Sequence, residues 1–199
     1  MIIVIFVNGV LNIKITTMNY CSQCGHGPLD FRQPEGDNRK RYICSNCNTV
    51  HYQNPKIVAG CLAFYEGKVL LCRRGIEPRK GKWNFPAGFM ENKETVKEGA
   101  AREVWEEANA KVEIERLHTV YNITHVNQVY MVFLAKLLEP VFSIGEETLE
   151  VRLFELDEIP WDELAFHSNI FALKKYLENP DYKGVHHGDN FDYQREIMD

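Results

Sequence analysis

Nothing in the 199 residues is long and apolar enough to span a bilayer, which takes about 20 consecutive apolar residues. The N-terminal run Met1–Val7 is interrupted at once by Asn8-Gly9. No Lys or Arg precedes that run and no small-residue cleavage site follows it, so a secretory leader is not expected. There is no basic excess either: 23 Lys and Arg stand against 28 Asp and Glu, a net charge of -5. General nucleic-acid binding, which asks for a basic face, is thereby disfavoured. Internal repeats and long low-complexity stretches are missing, which excludes solenoids and arrays. Membrane insertion is not expected, and the chain reads as cytoplasmic.

What is present is enough for one ordinary domain and a small appendage. Apolar residues make up 45% of the chain and aromatic ones 12%, sufficient for a core. Six cysteines invite a disulfide reading, but their placement argues against it. Cys21-x-x-Cys24 and Cys44-x-x-Cys47 stand nineteen residues apart in a polar stretch. Two such pairs are the spacing of a four-thiolate zinc site, and four protein ligands leave no open position, so the zinc is structural. Redox chemistry would need one pair beside a βαβ unit. Cys61 and Cys72 lie in apolar runs and read as small buried hydrophobes.

The chain divides into four parts. Residues 1–18 are a lead, either a hairpin around Asn8-Gly9 or an upstream extension. The extension is preferred, with Met18 as the natural start. Residues 19–56, rich in Gly, Pro, Asn and Cys, need a metal to fold. Residues 57–178 alternate strand and helix patterns. Residues 179–199 read as a frayed polar tail. Within the main part, Ile57–Tyr65 and Lys68–Arg73 form a hairpin at Glu66-Gly67. Residues 75–93 are loop, 96–108 a helix, and Val112–Tyr121, Gln128–Leu138 and Leu149–Glu155 strands. Ser168 is expected to cap a last helix that reaches Leu177. The result is an α/β arrangement with a mixed sheet.

The chemistry concentrates between Gly88 and Ala110. Thr95 and Glu98 make a capping box that starts a helix at Val96. On that helix Glu103, Glu106 and Glu107 stand at i, i+3 and i+4 and share one face. Val96, Ala100 and Val104 lie on another face, suited to packing on the sheet. Gly99 costs the helix about 1 kcal/mol against Ala, and leaves room beside the carboxylates. Three carboxylates on a short face repel one another and bind either protons or cations. Hard divalent ions, Mg²⁺ or Mn²⁺, suit them. Taken alone, three Glu residues are an ordinary solvated acidic face; the spacing back to Gly88 and Glu94 is what singles them out.

That spacing, Gly-x5-Glu-x7-Arg-Glu-Val-x-Glu-Glu, resembles the Nudix box, and Trp83-Asn84-Phe85-Pro86-Ala87-Gly88 resembles its lead-in. The family pattern continues with a glycine where this chain has Asn109, at a helix C′ position where Asn is the second choice for a left-handed backbone. The resemblance implies a Nudix α/β/α sandwich over 57–178 behind a zinc ribbon. It implies hydrolysis of a pyrophosphate by a Mg²⁺- or Mn²⁺-dependent enzyme. Glu103, Glu106, Glu107 and the Gly88 carbonyl would be metal ligands. Glu94 and Arg102 would pair and brace the loop. The general base would be Glu103 or a later acidic residue: Glu146, Glu147 or Glu150. Homodimers are common in the family.

Ribboned Nudix enzymes include NADH pyrophosphatases, which carry Ser-Gln-Pro-Trp-Pro-Phe-Pro after the box. This chain has Leu164-Ala165-Phe166-His167-Ser168 there, which lowers NADH and NAD-capped RNA as substrates. Asn54-Pro55-Lys56, Leu71–Arg79, Pro86–Glu91 and Ile159-Pro160-Trp161 resemble a smaller group with plant FAD and ADP-ribose pyrophosphatases, so ADP-ribose or FAD is implied. Arg73, Arg74 and Arg79 are candidates for phosphate contacts. Trp83, Phe85 and Tyr130 are candidates for stacking on a base, although Phe85 and Tyr130 suit core packing equally. The other readings are a nucleotide-sensing module that binds without cutting, at odds with the intact carboxylates, and an RNA-binding factor, at odds with the acidic balance.

Overall fold

The computed structural model describes residues 18–190, together with the backbones of Ile3–Val7 and Val10–Lys14. The expected tail beyond residue 190 lies outside the described residues. Contacts divide the chain into two units, residues 1–54 and 55–199. No described helix is long and apolar enough to cross a membrane.

In the first unit β1 (Ile3–Val7) and β2 (Val10–Lys14) pair antiparallel with Val7 opposite Val10. The pairing has the form of the hairpin expected around Asn8-Gly9. Then β3 (Asp30–Arg32), β4 (Arg41–Ile43) and β5 (Val50–His51) form a three-stranded antiparallel sheet. Among the described residues of this unit the buried apolar ones are few: Cys21, Ile43 and Cys44.

The second unit is built on an eight-stranded mixed sheet. β6 (Lys56–Tyr65) and β7 (Lys68–Arg74) turn at Glu66-Gly67, both with positive φ. Two short strands follow, β8 (Trp83–Asn84) on β7 and β9 (Ala87–Phe89) on β6. They lie where a loop over 75–93 is expected. Two or three residues carry no periodicity, so only pairing reveals them. Next come α1 (Val96–Ala108), β10 (Val112–Ile123), β11 (Gln128–Leu137), β12 (Thr148–Phe154), α2 (His167–Glu178) and β13 (His186–Asp189). The sheet order is β12-β7-β6-β11-β10-β13. β6 runs parallel to β11 and antiparallel to β7.

The central strand β6 is buried on both faces, which is why it reads as one continuous apolar run. Ala59, Cys61 and Ala63 face α1, where Ala100, Val104 and Ala108 meet them. Leu62 lies in the opposite layer with Leu71, Phe85, Val132, Ala172 and Leu173. Small residues on the α1 side let the helix sit close to the sheet. The layers are α/β/α, as the resemblance implies.

Two expectations are corrected. The last helix starts at His167, with Phe166 as its cap residue and no side-chain cap. Ser168 is fully buried, so its hydroxyl does not cap. Part of the expected frayed tail, His186–Asp189, is a strand pairing parallel to β10. The pairing is made by backbone groups, which polar residues satisfy as well as apolar ones.

His118 on β10 is 1% exposed and its Nε2 bonds the Ala172 carbonyl at 2.9 Å. Burial holds its pKa down at about 4, against 6.5 for an exposed imidazole. The unfolded chain therefore takes up a proton that the fold resists. Stability is expected to fall as pH drops from about 6.5 towards about 4, by roughly 1–3 kcal/mol. Gln at 118 keeps a donor near Nε2 and cannot charge. Denaturant midpoints between pH 7 and 4 should be flatter for His118→Gln than for wild type; parallel curves would refute this role.

Candidate active site

The loop–helix–loop that follows β8 builds the site. Thr95 accepts from the Glu98 N–H at 3.2 Å and Glu98 accepts from the Thr95 N–H at 2.7 Å, the expected capping box. α1 then projects Glu103, Glu106 and Glu107 from one face. It ends at Asn109, which is left-handed (φ 47°) and donates its N–H to the Trp105 carbonyl.

Arg102 organises the acidic groups. Its Nε and Nη2 grip both oxygens of Glu94, at 3.0 and 2.8 Å, and Nη2 also donates to the Phe89 carbonyl. Its Nη1 reaches Glu103 at 2.7 Å and Glu106 at 2.8 Å. The expected Glu94–Arg102 brace is present, and the same guanidinium also serves two of the three helical carboxylates. Its hydrogen bonds, joined by that of the Glu91 N–H, hold Glu94 at about pKa 2. A Cβ on Gly99 would stand 2.7 Å from Glu94 Oε1, so the room left by that glycine is used.

Glu103 and Glu107 press on the β9 backbone. The Ala87 N–H donates to Glu107 Oε1 at 3.3 Å. The Glu103 carboxylate fills the space where Gly88 would carry a Cβ, so any side chain at 88 would displace that carboxylate. Glu103 is 8% exposed, and burial raises its pKa. Glu107 is pushed up to about 8, first by burial, then by the charges of Glu103 and Glu147. Glu103 and Glu107 lie side by side, and the Arg102 guanidinium reaches Glu103 but is also engaged by Glu94 and Glu106, which leaves negative charge that a hard divalent cation would relieve. The donor set, all oxygen, fits Mg²⁺ or Mn²⁺.

Of the later acidic residues, Glu147 acts on Glu107 through its charge. Glu150 is engaged elsewhere, 3.6 Å from Arg73 on neighbouring strands. Among the arginines, Arg73 donates to the Gly81 carbonyl at 2.9 Å and is thereby tied into the β7–β8 loop. Arg74 donates to the Pro78 carbonyl, lies 5.1 Å over the Phe166 ring, and extends its charge to Glu107 and Tyr130. Arg79, exposed, acts on His167. Tyr130 is partly buried beside this group. Trp83 and Phe85 are corrected: Trp83 is 6% exposed and edge-on to Phe154 at 4.9 Å, and Phe85 is fully buried. Neither ring offers a face for stacking. Phe166 under Arg74 was not foreseen, since no spacing in the sequence joins the two.

In the first unit the four expected cysteines converge, their sulfurs all within 4.8 Å of one another. Cys21–Cys47 and Cys24–Cys44 are each 3.6 Å apart. A tetrahedron with metal–sulfur bonds of about 2.3 Å has edges of about 3.8 Å. The Gln23 N–H and the Asn46 amide donate to Cys21 and Cys24, and hydrogen bonds from Thr49 hold the Cys47 thiol below its usual pKa. Cys44 goes the other way, pushed up to about 11 by burial, so its thiolate needs a metal ion to hold it.

Both parts of the chain match known families. The NUDIX domain model matches residues 54–174, and the Nudix N-terminal zinc-ribbon model matches 19–53. A crystal structure of a NUDIX hydrolase from Nitrosomonas europaea superposes with TM-score 0.82 at 53% identity, covering 86% of this chain and 98% of that one. An ADP-ribose pyrophosphatase of Methanocaldococcus jannaschii is 30% identical over 133 residues, 63% of this chain and 75% of its own length. The NAD-capped RNA hydrolase NudC of Salmonella typhi is 28% identical over 144 residues, 71% of this chain. The match spans only 53% of that enzyme, and 64% of a MutT-like protein of Streptomyces ambofaciens.

Proposed function

This chain belongs to the NUDIX family, and on that premise we propose that it is a metal-dependent pyrophosphohydrolase that splits ADP-ribose or FAD and releases AMP. The observation that carries this reading is the packing of Glu103 and Glu107 against the Ala87–Gly88 backbone, with one guanidinium shared among Glu94, Glu103 and Glu106. Glu103, Glu106, Glu107 and the Gly88 carbonyl would hold Mg²⁺ or Mn²⁺. When bound, such an ion supplies positive charge to the pyrophosphate oxygens and acidifies a water.

The chain's own residues do the rest. Arg74, steadied by Phe166 and the Pro78 carbonyl, binds a phosphate. Tyr130 borders the same space. Glu147 takes the proton of the attacking water. Water adds to one phosphorus, the bridging P–O bond breaks, and the bridging oxygen leaves on the other phosphate. ADP-ribose then gives AMP and ribose 5-phosphate. The M. jannaschii relative supports ADP-ribose, and the lack of the NADH-enzyme motif at 164–168 counts against NADH. A structural zinc in the four-cysteine cluster and a homodimer, the family habit, complete the reading; light scattering tests the dimer.

The deciding experiment is a panel of ADP-ribose, FAD, NADH, NAD-capped RNA and dinucleoside polyphosphates with Mg²⁺ or Mn²⁺. AMP release from ADP-ribose or FAD, lost in Glu106→Gln, is the expected result; Glu106 is exposed, so the fold should survive. Preference for NADH or capped RNA would overturn the substrate. Tight binding with no turnover would make the protein a sensing module.

A further inference from the structure

The end of α1 is held in an unusual way. A helix leaves its last carbonyls without partners inside the helix. Here the Ser143 N–H donates to the Ala108 carbonyl at 2.9 Å and the Gly145 N–H to the Glu107 carbonyl at 3.1 Å. Between them, the Ile144 carbonyl accepts from Asn109 Nδ2 at 3.0 Å. Three consecutive residues of the β11–β12 connection are thus tied to the last residues of the helix that carries the carboxylates. Gly145 lies so close that a Cβ there would collide with the Glu106 carbonyl. Further on, the Gly75 N–H donates to the Glu147 carbonyl at 2.7 Å and the Thr148 N–H to the Gly145 carbonyl at 3.2 Å. The segment is pinned on both sides of Glu147.

Asn109 need not be asparagine for the helix to end. Its φ of 47° is met with less strain by glycine. What glycine lacks is the amide that reaches Ile144. We propose that Asn109 is a positioning residue: its side chain latches residues 143–147 onto the C-terminal end of α1 and so holds Glu147 beside the carboxylate face. The proposal rests on the reading of Glu147 as proton acceptor. It explains how an exposed residue on a connection of ten residues between strands, 138–147, keeps a fixed place relative to α1. Two backbone bonds, at Ser143 and Gly145, tie the segment to α1; the Asn109 amide adds a third tie between them, at Ile144, and is the one made by a side chain.

The test is Asn109→Gly, which keeps the left-handed helix end and removes the amide. Asn109→Asp, of the same shape without a donor, is the second variant. Hydrogen exchange by NMR should show faster exchange at the Ser143 and Gly145 N–H groups in both variants, with the α1 interior unchanged. On the substrate named by the panel, kcat should fall roughly tenfold to a hundredfold with KM held, the cost of a misplaced catalytic group. In a Glu147→Gln background, Asn109→Gly should cause no further loss, because the two act through one another. Unchanged exchange at 143 and 145 overturns the latch, whatever the protein hydrolyses. Faster exchange with kcat intact, or losses that add in full, overturns the link to Glu147. Should wild type cut no pyrophosphate, the exchange comparison still decides the latch, and the reaction reading fails separately.

Discussion

Glu107→Gln is expected to abolish metal-dependent turnover while leaving the metal-free protein as stable as wild type, or more so. The two halves have one cause. Glu107 is held against the β9 backbone among other negative charges, and its folded pKa is about 8, against 4.5 for an ordinary glutamate. In the unfolded chain it loses its proton near 4.5. Between these values the folded state holds a proton that the unfolded state has released, so stability falls as pH rises from about 4.5 to about 8, and is level above. Gln cannot ionise and avoids that loss. Metal-free thermal melts should therefore coincide near pH 4.5 and separate by pH 8, with the variant higher. A divalent ion reverses the ranking. Bound at a hundredfold excess over its Kd it stabilises the folded state by about 2.7 kcal/mol, and only wild type should gain. Losing one metal-ligand carboxylate at about 4 kcal/mol of transition-state stabilisation lowers kcat/KM by about a thousandfold. An active variant, or a wild type whose melt ignores Mn²⁺, would remove Glu107 from the metal site.

The parts legible in the sequence are those where local rules and tertiary packing agree. The helix over 96–108, its capping box and its left-handed end at Asn109 are each set by residues within one turn, and the structure has all three. Residues Ala100 and Val104 face the sheet and Glu103 and Glu107 face β9 because helical spacing separates those two stripes by geometry alone. Illegible were features made by partners distant in the chain. β8 and β9 exist because β7 and β6 offer edges. β13 is His-His-Gly-Asp, which has no strand propensity and is recruited by the free edge of β10. Trp83 and Phe85 sit beside the box in sequence, which suggested a role in binding, yet they turn into the second core layer with Phe154 and Leu173. Arg102 shows the limit inside the motif itself. Its pairing with Glu94 follows from the resemblance. Its reach to Glu103 and Glu106 depends on rotamers that spacing does not specify.

Zinc removal is expected to unfold residues 19–54 altogether while the sheet of the second unit stays protected. The first argument is the core. The described residues of that unit bury Cys21, Ile43 and Cys44 as their apolar set, and β3, β4 and β5 are three, three and two residues long. Strands that short with so little buried surface are not stable in water on their own. The folding free energy must come from the metal, about 10–16 kcal/mol for a structural zinc near neutral pH. The second argument is the ligand geometry: sulfurs 3.6 Å apart in two pairs are set for a tetrahedral ion, and all four thiols are free. The contrast is with the second unit, where Leu62, Leu70 and Leu71 of an eight-stranded sheet and Leu173 of α2 are fully buried in a core that owes nothing to cysteine ligands. Purified protein should hold one zinc per chain by atomic absorption. After chelation under reducing conditions, hydrogen exchange should lose all protection across 19–54 and none in β6, β7 and β11; Cys44→Ser should do the same without chelator. A ribbon still protected after complete zinc loss would mean that its three short strands carry their own stability, and the cysteines would then need another explanation.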